Sequence, residues 1–210
     1  MTAPPAAGKK KSLHAAERDP ERVHTLRLAL RGTVHDLAVG RLPCVDESGV
    51  HWAMTRRCGR APPGQRVVDS VPDHYGSNQT RLAALGLDGL EAPWGVDGAV
   101  HGASFHCGVR EGLGPTLQPG AIGLGDNLSA HKGTGVEALL VARGARLLRL
   151  SPDLPDFHPI EQCWSKIKTF LRRAKARTVE ALSEAIKEAL ASVTTADSRG
   201  WFAHCGYPVH

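Results

Sequence analysis

Ala121-Ile122-Gly123-Leu124-Gly125-Asp126-Asn127 opens the stretch whose reading decides the fold. Ala121 to Gly125 reads as a short strand, about Lys132 to Arg143 as a helix, Arg146 to Leu150 as a second strand, and Pro159 as the first residue of another helix. Working outward, Ile160, Cys163, Trp164, Ile167, Phe170 and Leu171 share one face of that helix, so Trp164 and Phe170 read as core rather than as base-stacking rings. Leu182, Ile186, Leu190 and Val193 mark a second closing helix. Upstream, Leu42 to Val45, Val50 to Thr55, Arg66 to Val71 and Arg81 to Leu87 are short runs split by turn residues such as Ala61-Pro62-Pro63-Gly64, and they predict three or four strands of a meander. A helix is expected around Gly102 to Gly112. Strands followed by alternating helices and strands imply an α/β fold: a central mixed sheet flanked by helices.

The chain divides simply. Residues 1–12 read as a flexible basic tail and 13–40 as a lead-in helix, with Asp19-Pro20-Glu21 as its start, Val23, Leu26 and Leu30 on one face and Gly32 at its end. Residues 41–210 are one domain, which suits a chain of 210 residues. Hydrophobic residues at 41% and charged residues at 22% exclude a disordered or fibrous chain. The longest strongly apolar run, about Ala138 to Ala142, is far short of the roughly 20 residues of a spanning helix, so no membrane partner and a cytoplasmic, nucleoid-associated location are expected. Five scattered cysteines without a Cys-x-x-Cys pair suggest neither a disulfide framework nor a zinc knuckle. The formal charge of +5 is compatible with a polyanionic partner without demanding one.

Three acids stand at the edges of predicted elements. Asp46 follows the first strand in Val45-Asp46-Glu47-Ser48-Gly49, Asp126 follows a later strand, and Glu161 lies in the first turn of a helix begun by Pro159, where the helix dipole favours an anion. Cleavage of a phosphodiester by two metal ions needs hard oxygen ligands from converging elements, and three carboxylates suit that task. Each acid also has a plain reading: Asp-Glu-Ser-Gly and Asp-Asn are ordinary turn chemistry, and Glu161 can serve a helix cap.

Taken in order, the words around these acids resemble the mariner-type superfamily of DDE transposases, in its bacterial insertion-sequence branch. They are Lys10-Lys11-Ser12-Leu13-His14-Ala15-Ala16-Glu17-Arg18-Asp19, Val45-Asp46-Glu47-Ser48-Gly49, Ala53-Met54-Thr55-Arg56, Gly59-Arg60-Ala61-Pro62, Asp126-Asn127-Leu128-Ser129-Ala130-His131-Lys132, Pro159-Ile160-Glu161-Gln162 and His204-Cys205-Gly206-Tyr207. The 34 residues between Asp126 and Glu161 match the separation typical of that superfamily. The resemblance implies an RNase H-like fold in which Asp46, Asp126 and Glu161 are catalytic and hold magnesium or manganese, two ions in all. It implies that water cleaves a phosphodiester at the element's end and that the freed 3′ hydroxyl then attacks target DNA. Glu47, Asn127, His131 and His158 would support the site. Lys132, Lys166, Lys168, Arg172 and Arg173 would touch DNA. The implied partners are double-stranded DNA of element ends and target, a separately encoded helix-turn-helix half that this chain starts too late to contain, and a second copy when two ends are synapsed.

Some positions depart from the pattern. His158 stands where the superfamily has Asn, and His is a poor helix cap, which costs on the order of 1 kcal/mol. Pro43 sits where a strand donor is expected, Gly123 and Gly125 weaken the strand before Asp126, and Gly108 weakens the helix after Gly102. A second reading therefore keeps the fold without the chemistry: a decayed, inactive domain that binds DNA or an intact transposase through Lys166, Lys168, Arg172, Arg173, Lys175 and Arg177. Those cations also read as a solvated helix face. His101, His106 and Cys107, or His204 with Cys205, lack the paired spacing of a zinc site, and Gly102-Ala103-Ser104-Phe105-His106 fails the Gly-x-Ser-x-Gly nucleophile elbow at its last position.

Overall fold

The computed structural model describes residues 21–35, 39–76, 78–98, 101–125, 134–150 and 154–209. The expected basic tail and the start of the lead-in helix lie outside them, as do Asp126, Asn127, His131 and Lys132. Five strands form one mixed sheet in the order β3-β2-β1-β4-β5. β1 (Cys44–Val50), β2 (Gln79–Gly86) and β3 (Gly89–Asp97) make an antiparallel meander. β4 (Ile122–Gly125) joins β1 in parallel, pairing Leu124 with Cys44 and Gly125 with Val45, and β5 (Arg146–Arg149) joins β4 in parallel. α3 (Thr134–Ala142) makes the return between β4 and β5, as parallel neighbours require.

Helices cover both faces. α4 (Pro159–Ala174), α5 (Val179–Ala191) and α6 (Thr195–His204) pack over one face, where Cys44, Leu85 and Leu124 of the sheet meet Ile160, Cys163 and Trp164. α2 (Gly102–Gly108), prolonged by a π turn at Val109–Leu113, lies with α3 on the other, where Val45, Leu82 and Ala84 meet Phe105, Val109 and Leu140. Trp164 is buried and Phe170 packs against the core, as their helical spacing predicts. α1 (Glu21–His35) runs three residues beyond Gly32 and docks on the α4 side through Val23, with Arg27 forked onto Asp156 at 2.7 and 2.6 Å.

The meander differs from its expected form. Residues 51–76 and 78 contain no strand, and Val67, Val68 and Val71 are exposed, so the runs Val50 to Thr55 and Arg66 to Val71 do not enter the sheet beyond Val50. This excursion is held instead by side chains: Trp52 Nε1 donates to His74 O, Arg177 donates to the carbonyls of Trp52 and Met54, and Lys175 pairs with Asp69. The third strand is Gly89–Asp97, which Pro93 and Gly95 conceal. As an edge strand it tolerates proline, and a bulge at Ala92 (φ 48°) absorbs the extra residue. A third closing helix, α6, goes beyond the two predicted. It has Gly200 at its centre, but the Thr194–Asp197 capping box marks its start.

The positions that look weak are accommodated. Pro43 precedes β1, and its carbonyl accepts from Leu124 N at 2.8 Å, so no ladder donor is lost. Gly108 is a point of close approach: a Cβ there would lie 2.7 Å from Leu82 and from Trp94, so α2 seats on β2 and β3 only because that side chain is missing. Ser104, part of the failed nucleophile elbow, accepts from His101 N and donates to His101 O, which makes it part of the N-terminal cap of α2.

Candidate active site

Side chains alternate between the two faces of a strand, and the packing shows which is which on β1. Cys44 and Val50 belong to the core under α4, whereas Val45 belongs to the core under α2 and α3. Asp46 therefore points to the α4 face. It lies within β1 rather than after it, a correction to the sequence reading, and is only 7% exposed. An acid so buried in a strand is not a turn former. Glu47 is half-buried and, by the same alternation, belongs to the opposite face. β4 ends at Gly125, paired with Val45, and Asp126 is the next residue in the chain, outside the described residues.

Glu161 is exposed in the first turn of α4, with Pro159 as the first helical residue. The start of this helix is fixed by His158. Its side chain makes no cap hydrogen bond, as expected of His, but the ring is buried and Nε2 lies 3.3 Å from the carbonyl of Leu124. A carbonyl only accepts, so Nε2 carries the proton there. The imidazole thus ties the start of α4 to the end of β4. Glu161 stands three residues beyond His158, in the first turn of α4, and Asp46 stands two residues beyond Cys44, about 7 Å along β1. Leu124 touches His158 and pairs with Cys44, so the start of α4 lies at the end of β4, beside the strand that carries Asp46.

The donor chemistry of Asp46 and Glu161 fits a hard divalent cation. It supplies carboxylate oxygens, one shielded in a strand and one open to solvent. Among the described residues no three His, Cys, Asp or Glu side chains gather into a metal-holding group.

Residues 41–183 match the family described as DDE superfamily endonuclease. The chain belongs to that family. Its fold is similar to the Mos1 mariner paired end complex with Mg, at a TM-score of 0.71 and 17% identity over 98% of this chain and 65% of that one. It is similar to the Mos1 Strand Transfer Complex, at 0.67 and 17% over 98% and 62%, and to the catalytic domain of Mos1 mariner transposase, at 0.63 and 13% over 93% and 91%. This DDE endonuclease therefore has the RNase H-like fold of the mariner catalytic domain, and it spans less than two thirds of the transposase chain in those two complexes. No curated protein matches its sequence.

The cations of the DDE endonuclease sort into two groups. Lys166 donates to Ser192 O at 2.8 Å and to Asp197 at 2.5 Å, Lys175 to Asp69 at 2.7 Å, and Arg177 to the carbonyls of residues 52 and 54. These three hold the helices and the excursion together. Arg172 and Arg173 instead line an open cleft of about 460 Å³ with Thr169, and with Arg56 and Arg57 from the excursion. Arg57 carries no signal of its own in the sequence, and Arg56 only as part of a family word. The signal available is their adjacency; what it lacks is knowledge that the excursion folds back over α4. Lys168 is half-buried on the same helix. No described helix is long and apolar enough to cross a membrane.

Proposed function

We propose that this DDE endonuclease is the catalytic domain of a transposase, which cleaves DNA at the end of a mobile element and joins that end to target DNA. The observation that carries the reading is that the start of α4, the helix of Glu161, is tied to the end of β4 immediately before Asp126, beside the β1 strand in which Asp46 is buried. Asp46, Asp126 and Glu161 are read as the ligands of two magnesium or manganese ions; when bound, these would supply activation of the attacking oxygen and stabilisation of the leaving oxygen. The Mos1 end complexes with Mg and with Mn support that choice of metal. The residues of the chain do the positioning. β1 holds Asp46 rigidly, Pro159 and His158 set where α4 begins, and Glu161 follows from that start. Asn127, His131 and Lys132, next to Asp126 in sequence, are read as supporting the site or touching DNA.

The same reading takes residues 41–210 as the catalytic domain and 13–40 as a helix docked on it. It takes element-end and target DNA as substrates, a separately encoded helix-turn-helix half and a second copy of this chain as partners, and chromosomal DNA in the cytoplasm as the place of action.

The test is nicking of supercoiled plasmid with magnesium or manganese. Asp46→Asn and Glu161→Gln should each lower the rate at least 100-fold, about 2.7 kcal/mol of transition-state stabilisation, with the melting temperature retained. Nicking by Asp46→Asn at the parent rate removes the proposal.

A further inference from the structure

Arg56, Arg57, Arg172 and Arg173 surround one open cleft, and no carboxylate among the described residues pairs with any of them. Four guanidinium groups lining one cleft repel one another, and a polyanion seated there lowers that repulsion. The cleft lies on a line with the candidate site. Arg172 is eleven residues beyond Glu161, which is three turns along nearly the same face of α4 and about 16 Å. Lys168, two turns beyond Glu161, is on that line as well.

We infer that this cleft seats the phosphate backbone of a DNA strand about five nucleotides from the reacting phosphate, since about 16 Å corresponds to about five steps of 3.4 Å. The inference rests on the reading of Asp46 and Glu161 as the reacting centre. It assigns the contact to Arg56, Arg57, Arg172 and Arg173 and withdraws it from Lys166, whose ammonium is engaged by Asp197 and Ser192. The occupant is nucleic acid because the cleft is charged rather than apolar, and because the line from Glu161 continues into it without an intervening acid: positions 165, 168 and 172 are Ser, Lys and Arg.

The experiment measures binding alone, in EDTA, so that it does not depend on catalysis. The full chain is titrated onto a fluorescent duplex at salt concentrations from roughly 50 to 200 mM, and log Kobs is plotted against log salt. Each phosphate neutralised by a cation adds about 0.9 to the magnitude of that slope. Arg56→Ala with Arg57→Ala, and separately Arg172→Ala with Arg173→Ala, should therefore each reduce it by up to about 1.8. The corresponding lysine pairs should keep most of the slope, because they keep the charge. Lys187→Ala, an exposed cation paired with Glu184 on α5, should leave the slope unchanged. Melting curves confirm that each variant is folded. Parent-like slopes in both alanine pairs overturn the inference, and so does a parent that binds polyglutamate through these arginines but not DNA. Nicking abolished in Asp46→Asn, with parent-like slopes in the alanine pairs, would leave the catalytic reading standing and the cleft overturned; reduced slopes in a chain that never nicks would do the reverse.

Discussion

Replacing Asp197 with alanine removes the acceptor that holds α6 against α4. Its Oδ2 takes a hydrogen bond from Lys166 Nζ at 2.5 Å, from Thr194 N at 2.9 Å and from Thr194 Oγ1 at 2.7 Å, while Thr194 Oγ1 accepts from Asp197 N at 3.1 Å. Loss of the capping box costs about 1 kcal/mol. The ion pair adds only about 0.5–1 kcal/mol, because its side chains are 35% and 28% exposed and solvent screens them. Together these predict about 1.5–2 kcal/mol, or a fall in melting temperature of roughly 3–8 °C for a chain of this size. Asp197→Asn, which keeps a capping acceptor, should lose only the ion-pair part. The hydrogen bond from Lys166, and then those from Thr194, lower the Asp197 carboxyl to about 2 from its ordinary 3.8. A carboxyl lowered on folding stabilises the fold above its unfolded value and loses that stabilisation as pH falls through its folded value. The gap in stability between the parent and Asp197→Asn should therefore be full above about pH 4 and close towards pH 2. Urea unfolding across that range is the assay. A gap that stays constant down to pH 2 refutes the pairing. A Lys166→Ala chain that is as stable as the parent, but whose DNA-binding salt slope is smaller by about 0.9, refutes the structural role of Lys166.

Two further outcomes follow from the core. Gly123→Ala should raise the melting temperature by about 3–7 °C: its Cβ would meet Leu147 at 3.6 Å in ordinary contact beside a small cavity of about 20 Å³. The gain combines about 0.5–1 kcal/mol of strand backbone entropy with the burial of a methyl group. A lowered melting temperature would show that the strand needs glycine there. Burial raises the Cys163 and Cys205 thiols to about 12 and pushes Cys44 up as well, whereas Cys58 is exposed. Only a thiolate reacts, so alkylation of the native chain at pH 8 should modify Cys58 first and leave those three until denaturant is added, as peptide mapping would read directly. Labelling of Cys163 at the rate of Cys58 would contradict the packing of α4.

Periodicity along the chain was enough to place β4, α3, β5, α4 and α5, because each carries its own apolar pattern or turn signal. Asp46 and Glu161 were singled out not by periodicity but by the resemblance of the words around them to a known family, and residues 41–183 carry the family match. Periodicity failed where a segment's state depends on neighbours distant in sequence. Val67, Val68 and Val71 look like a strand but find no ladder partner, while Gly89–Asp97 looks broken but finds β2 on one side and needs none on the other. His158 is the clearest case at the site. Read locally it is a poor cap; in the folded chain its ring reaches the carbonyl of Leu124, 34 residues away, and so joins the helix carrying Glu161 to the strand before Asp126. The α4 cations divide for the same reason. The sequence placed Lys166 and Arg172 on one basic helix, and only the packing of α6 and of the excursion after β1 decided that Lys166 meets an acid while Arg172 lines a cleft with three more arginines. Charge is written in the sequence, but whether a charge is neutralised is set by what folds against it.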